Sequence, residues 1–128
     1  MEKILIIDDN KEVLGIFEQI LVDKGYTVST AYNGIEGIER FNKDCFDLVI
    51  IDINMPGVSG FDVLNNIKHN SSVVPIILMS SDYLPIGPVD VEKLGINAIL
   101  SKTIDNETFN DVVRSCLYED KIYTSKIF

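Results

Sequence analysis

DLVIIDINMPGVSG, running from Asp47 to Gly60, decides how the rest of the chain is read. Its first half, Asp47 to Asp52, is a short, unbroken, β-branched-rich run. Such a run suits a strand covered on both faces, as in a parallel sheet. The run ends in an acid and then meets Met55-Pro56-Gly57, where Pro and Gly favour a tight turn. Two other stretches have the same character, Lys3 to Asp8 (KILIID) and Pro75 to Ser80 (PIILMS). Weaker strands are predicted at Thr27 to Ala31 and at Asn97 to Ser101.

Between the strands the apolar period changes to that of a helix. Val13, Leu14, Phe17, Ile20 and Leu21 recur at helical spacing, with Gly25 placed to end the helix. Ile35, Ile38 and Phe41 mark a second helix after the Asn33-Gly34 turn, and Phe61, Leu64 and Ile67 a third. Phe109, Val112, Val113 and Cys116 mark the last, with Asp105 as its N-cap. Pro85, Gly87 and Pro88 leave only a short element near Val89 to Leu94. Five βα units in succession predict an α/β sandwich, because each parallel crossover needs a helix to cover the sheet.

The chain has 128 residues, 46% of them apolar, and a formal net charge of -9. This suits one domain with a real core. It disfavours a nucleic-acid grip, which depends on positive charge. No apolar run reaches the ~18 residues of a membrane span, and the start lacks the pattern of a secretory signal. Cys45 and Cys116 have no metal-ligand spacing and are read as reduced, half-buried fillers on helices. A cytoplasmic location is expected.

In open parallel sheets the ligand site lies at the carboxyl ends of the strands. Here the first strand ends in Asp8-Asp9 and the third in Asp52, followed by Ile53-Asn54. The fourth ends in Ser80-Ser81, and the fifth runs into Lys102. Three close carboxylates repel one another, and a bound Mg²⁺ would relieve the repulsion. One carboxylate could then attack phosphorus, with Lys102 and Ser80 holding the oxygens of the transferring group. Singly, each residue has an ordinary reading. Asp8-Asp9 could cap the first helix, Asp52 could be a turn residue, and Ser80 and Lys102 alone mean little. Their occurrence together at four strand ends favours the chemical reading.

This set resembles the receiver domain of bacterial two-component response regulators, over roughly Lys3 to Leu117. The family's paired acids match Asp8 and Asp9. Its D-x-x-M-P-G-x-x-G stretch matches Asp52, Met55, Pro56, Gly57 and Gly60, its hydroxyl residue matches Ser80, and its lysine matches Lys102. The resemblance implies a flavodoxin-like five-stranded parallel sheet of order 2-1-3-4-5 in a three-layer α/β/α sandwich. It implies Asp52 as phosphoacceptor and Mg²⁺ (or Mn²⁺) as cofactor. Asp9 and Asp52 would bind the metal directly, Asp8 through water, and Asn54 through its main-chain oxygen. It further implies a histidine kinase or histidine phosphotransfer protein as donor and a downstream effector protein as target. Neither nucleic acid nor membrane would be contacted by this domain. As a switch, it would catalyse only its own phosphoryl transfer and self-dephosphorylation. Residues 1–118 would form the receiver, and 119–128 a C-terminal tail or the start of a linker.

Three features depart from the family pattern. Thr103 stands where proline usually follows the lysine, so the Lys102-Thr103 bond is either trans with a reshaped loop or a strained cis bond. Ile99 replaces the aromatic switch residue that works with Ser80, which predicts a weaker or differently routed coupling, with Tyr83 a candidate participant. Prolines in the fourth-helix region predict an irregular output face. By resemblance, Asn54 and Asp82 flank the path of attacking water and tune the lifetime of the acyl phosphate. His69, the only histidine, is read as a surface residue.

Three rival readings remain in view. A degenerate receiver acting as a constitutive interaction module is opposed by the complete acidic set. A haloacid-dehalogenase-like phosphatase wants a second aspartate where Asn54 stands. A flavin-binding protein wants a phosphate-cradling loop where Asp8-Asp9-Asn10 would repel phosphate.

Overall fold

A computed structural model describes residues 2–71, 73–81, 91 and 93–118. Its elements are β1 (Lys3–Ile7), α1 (Lys11–Asp23), β2 (Thr27–Ala31), α2 (Gly34–Lys43), β3 (Leu48–Asp52), α3 (Gly60–Asn70), β4 (Ile76–Ser80), β5 (Ala98–Ser101) and α4 (Asn106–Tyr118). The five strands form one sheet of order β2-β1-β3-β4-β5, and every pairing is parallel. This is the flavodoxin-like arrangement expected. Strands β1, β3, β4 and β5 each begin one residue later than the apolar runs suggest or end one earlier, a shift within the uncertainty of any strand boundary.

The unbroken apolar runs have a direct cause. Leu48 to Asp52 and Ile76 to Ser80 are buried at every position. Alternate side chains therefore feed two separate cores. Leu5, Ile7, Val49, Ile51 and Leu78 pack with Val63, Leu64 and Ile67 of α3, and with Ile38 and Phe41 of α2. Ile4, Ile6, Ile50, Ile77 and Leu100 pack with Leu14, Phe17 and Leu21 of α1, and with Phe109, Val112, Val113 and Cys116 of α4. Phe17 and Phe109 join α1 to α4, their ring centroids 4.7 Å apart. Each buried large aliphatic side chain contributes about 1.5–3 kcal/mol, so these two layers carry most of the stability.

Helix ends follow local chemistry. Asn10 caps α1, its side chain accepting the N–H groups of Glu12 and Val13. The cap is therefore Asn10, and not Asp8 or Asp9. Gly25, at a φ of 93°, follows the C-cap Lys24 as expected. Asn33 caps α2, and Ser59 with Asp62 forms a reciprocal capping box on α3. Asp105 accepts the N–H of Thr108, as its N-cap role requires.

Two sequence expectations need correction. Ile35 is 60% exposed and does not face the core. The inner side of α2 is made by Ile38 and Phe41 together with Gly34 and Gly37, which let the helix approach Val58 and Ile7 closely. Cys45 is exposed and lies beyond the end of α2, so it is no helical filler, whereas Cys116 is buried on α4. The stretch holding Asp82, Tyr83, Pro85, Gly87 and Pro88 lies outside the described residues, as does 119–128. Of the short element near Val89 to Leu94, Val91, Lys93 and Leu94 are described and helical.

Candidate phosphoacceptor and metal site

The chain leaves β1, runs outward to β2, and returns on the other side of β1 to β3. The crevice at that reversal opens above the carboxyl ends of β1 and β3. Asp8 and Asp9 follow β1, and Asp52 closes β3. One carboxylate oxygen from each of the three lies within 4.8 Å of the others. Asp8 and Asp52 are 2% and 1% exposed, while Asp9 faces solvent.

The loop backbone aims these groups. Asp8 Oδ1 accepts the N–H of Asn10 at 2.9 Å, and Asp52 Oδ1 accepts the N–H of Asn54 at 3.0 Å. Asp52 is thereby held by one oxygen, leaving Oδ2 pointing into the crevice. Gly60 makes this packing possible. A Cβ there would fall 2.3 Å from the Asp52 carbonyl oxygen, so no larger residue lets α3 start so close to β3. Gly57, at a φ of 75°, turns the intervening loop.

Lys102 arrives from the end of β5. Its Nζ stands 3.0 Å from Asp8 Oδ2 and 3.1 Å from Asp52 Oδ2. The second contact is an ion pair without hydrogen-bond geometry, so the buried Asp52 Oδ2 has no hydrogen-bond partner among the described residues. Burial, followed by the charge of Asp8, raises the Asp52 pKa; Lys102 and the Asn54 N–H oppose the rise. For Lys102, burial works against the charge, but its contacts with Asp8 and Asp52 outweigh it and the pKa is raised. The Lys102-Thr103 bond is trans, since no described peptide bond is cis. The loop is closed by local bonds: Ile104 N–H donates to the Ser101 carbonyl at 3.1 Å, and the Ser101 and Thr103 hydroxyls pair at 2.8 Å.

A divalent cation fits this donor set. Three carboxylates against one ammonium leave two negative charges, which one divalent ion balances. Mg²⁺ with oxygens at about 2.1 Å holds neighbouring ligands about 3.0 Å apart and opposite ones about 4.2 Å apart. The three carboxylate oxygens, all within 4.8 Å of one another, are close enough to share one such ion. Asp52 Oδ2, ion-paired with Lys102 but without a hydrogen bond among the described residues, is the type of buried acceptor that a cation or phosphorus centre would satisfy.

The family signature for the response regulator receiver domain matches residues 4–114. The chain belongs to the response regulator receiver domain family. Among similar proteins, the uncharacterized transcriptional regulatory protein YkoG of Bacillus subtilis is 29% identical over 130 residues, covering 99% of this chain and 57% of its own length. The receiver spans about half the length of the curated relatives it matches. Among solved structures, chemotaxis protein CheY4 of Vibrio cholerae aligns with a TM-score of 0.84 at 28% identity, covering 91% of this chain and 99% of that one. Response regulator TrrA of Thermotoga maritima, in complex with Mg(2+)-BeF, aligns with a TM-score of 0.83 at 29% identity, covering 91% and 100%.

Within this receiver, Asp8, Asp9, Asp52 and Lys102 come together as the sequence predicts. Ser80 ends β4 beside them, 4% exposed, its hydroxyl donating to Asn54 Oδ1 at 2.9 Å. Sequence reasoning placed Asn54 beside the site but missed this bond, because nothing in a loop sequence fixes where an amide side chain turns. Ile99 is buried in the same core layer as Val63, Leu64 and Ile67 of α3. His69 is exposed in the last turn of α3, away from the acids. No described helix is long and apolar enough to cross a membrane.

Proposed function

We propose that Asp52 is the phosphoacceptor of a two-component or phosphorelay switch, charged by a phosphohistidine of a sensor kinase or phosphotransfer protein. One observation carries this reading: a buried carboxylate oxygen with no hydrogen bond, Asp52 Oδ2, faces an ammonium and two further acids in one crevice. A lone pair of Oδ2 attacks phosphorus in line, and the P–N bond breaks with its electrons leaving on the imidazole. The Asn54 N–H keeps Oδ1 out of the reaction and holds the carboxylate plane. Lys102, already beside Oδ2, shifts to a phosphoryl oxygen and balances its charge without a long movement.

Asp9, Asp52 and the Asn54 main-chain oxygen would hold Mg²⁺ (or Mn²⁺), with Asp8 joined through water. When bound, the cation supplies the positive charge that offsets three carboxylates and an incoming phosphoryl group. The Mg(2+)-BeF complex of TrrA supports a cation at this position. Ser80 then turns to the phosphoryl group, and the loops beyond β4 and β5 follow, presenting an altered surface to a downstream effector. With Ile99 in place of a ring, that coupling is weaker or takes another route. Asn54 and Asp82 tune self-dephosphorylation by orienting the attacking water. The receiver unit is read as residues 1–118, cytoplasmic, with no nucleic-acid contact of its own.

Phosphoramidate, a small P–N donor, provides the test. With Mg²⁺ it should produce an acyl-phosphate signal in the phosphorus NMR spectrum that Asp52→Asn abolishes. An equal signal from that variant would overturn the assignment.

A further inference from the structure

We infer that Asn54 is a positioning residue that engages the proton of the Ser80 hydroxyl and so sets how readily the domain switches. The inference rests on Asp52 being the phosphoacceptor and concerns what holds the site in its resting state.

Asn54 touches both halves of the device. Its N–H holds Asp52 Oδ1 at 3.0 Å, while its side-chain oxygen accepts the Ser80 hydroxyl at 2.9 Å. The side chain is otherwise exposed, so it folds across a hydroxyl that is itself buried. A serine hydroxyl has one proton to donate. While that proton is given to Asn54 it is withheld from any phosphoryl oxygen on Asp52. Engagement of the phosphoryl group by Ser80 is therefore an exchange, in which the Asn54 bond is broken as the new one forms. A neutral hydrogen bond of this kind is modest in net strength. The latch thus biases the equilibrium without blocking it.

Alanine at position 54 removes the side-chain acceptor and keeps both main-chain groups, the N–H on Asp52 and the carbonyl proposed for the metal. Because the side chain is exposed, the substitution leaves the core intact. Calorimetric titration with beryllium fluoride and Mg²⁺ should show Asn54→Ala binding about three- to tenfold more tightly than the unsubstituted protein, the value of one neutral hydrogen bond. Ser80→Ala should bind more weakly, and adding Asn54→Ala to it should change nothing further. A purely structural effect of Asn54 would appear equally in both backgrounds. Unchanged or weaker binding by Asn54→Ala, or the same gain with and without Ser80, would overturn the latch alone. Failure of the unsubstituted protein to bind beryllium fluoride would overturn the phosphoacceptor reading itself, and the latch with it.

Discussion

The ammonium of Lys102 lies 3.1 Å from Asp52 Oδ2, bringing the end of β5 across β4 to the end of β3. In the resting protein that single charge faces two buried carboxylates, Asp8 and Asp52. The site is therefore charge-frustrated as built, and its stability should respond to anything that changes the balance.

Asp52 itself opposes folding when ionised. Burial, and then Asp8, raise its pKa, so the folded state binds that proton more tightly than the unfolded state does. The cost is fully present above the raised folded pKa and fades as the pH falls through it. In urea unfolding without divalent cations, Asp52→Asn should be more stable by about 1 kcal/mol at neutral pH. The advantage should shrink on mild acidification. An advantage that grows as the pH falls would contradict this account.

Lys102 should matter in the opposite direction. Lys102→Met leaves two buried carboxylates without their counter-charge, and breaking a buried pair in this way costs about 3 kcal/mol. Saturating Mg²⁺ should recover part of the loss, because the cation replaces the missing positive charge. Identical unfolding curves with and without Mg²⁺ would argue against a shared cation site.

Asp9 separates binding from folding. It is exposed, so solvent screens its repulsion with the other two acids and Asp9→Asn should raise metal-free stability only slightly. The unsubstituted protein should gain stability with Mg²⁺ by the linkage relation, about 2.7 kcal/mol at a hundred times Kd. The variant should need far more Mg²⁺ for the same gain, measured as the shift of Tm with cation concentration. Equal Mg²⁺ dependence in both proteins would remove Asp9 from the ligand set.

Much of this was legible in the sequence, and the exceptions have physical reasons. Continuous apolar runs at KILII, LVIID and IILMS revealed buried parallel strands because both faces of each strand are covered. The acids were legible because strand ends in such a sheet share one edge. Ile35 misled because a spacing rule counts apolar side chains and does not register that Gly34 and Gly37 form the close-packed side of α2. The capping role of Asn10 was hidden behind two more conspicuous acids. The pairing of Asn54 with Ser80 joins the loop after β3 to the end of β4, and only the assembled sheet brings them together.

Ile99, buried in the core layer that α3 shares, tests how a switch signal leaves the site. Ile99→Tyr should widen the region whose amide hydrogen exchange changes when beryllium fluoride and Mg²⁺ are added, extending it beyond β4 and β5. The same exchange pattern in both proteins would mean that the residue at 99 has no part in the coupling.

Intact mass after treatment with acetyl phosphate tests the central claim most directly. With Mg²⁺ the protein should gain one labile phosphoryl group, and with the cation chelated, or with asparagine at position 52, it should gain none. A phosphoryl adduct that persists in Asp52→Asn, or no adduct under any condition, would contradict the account.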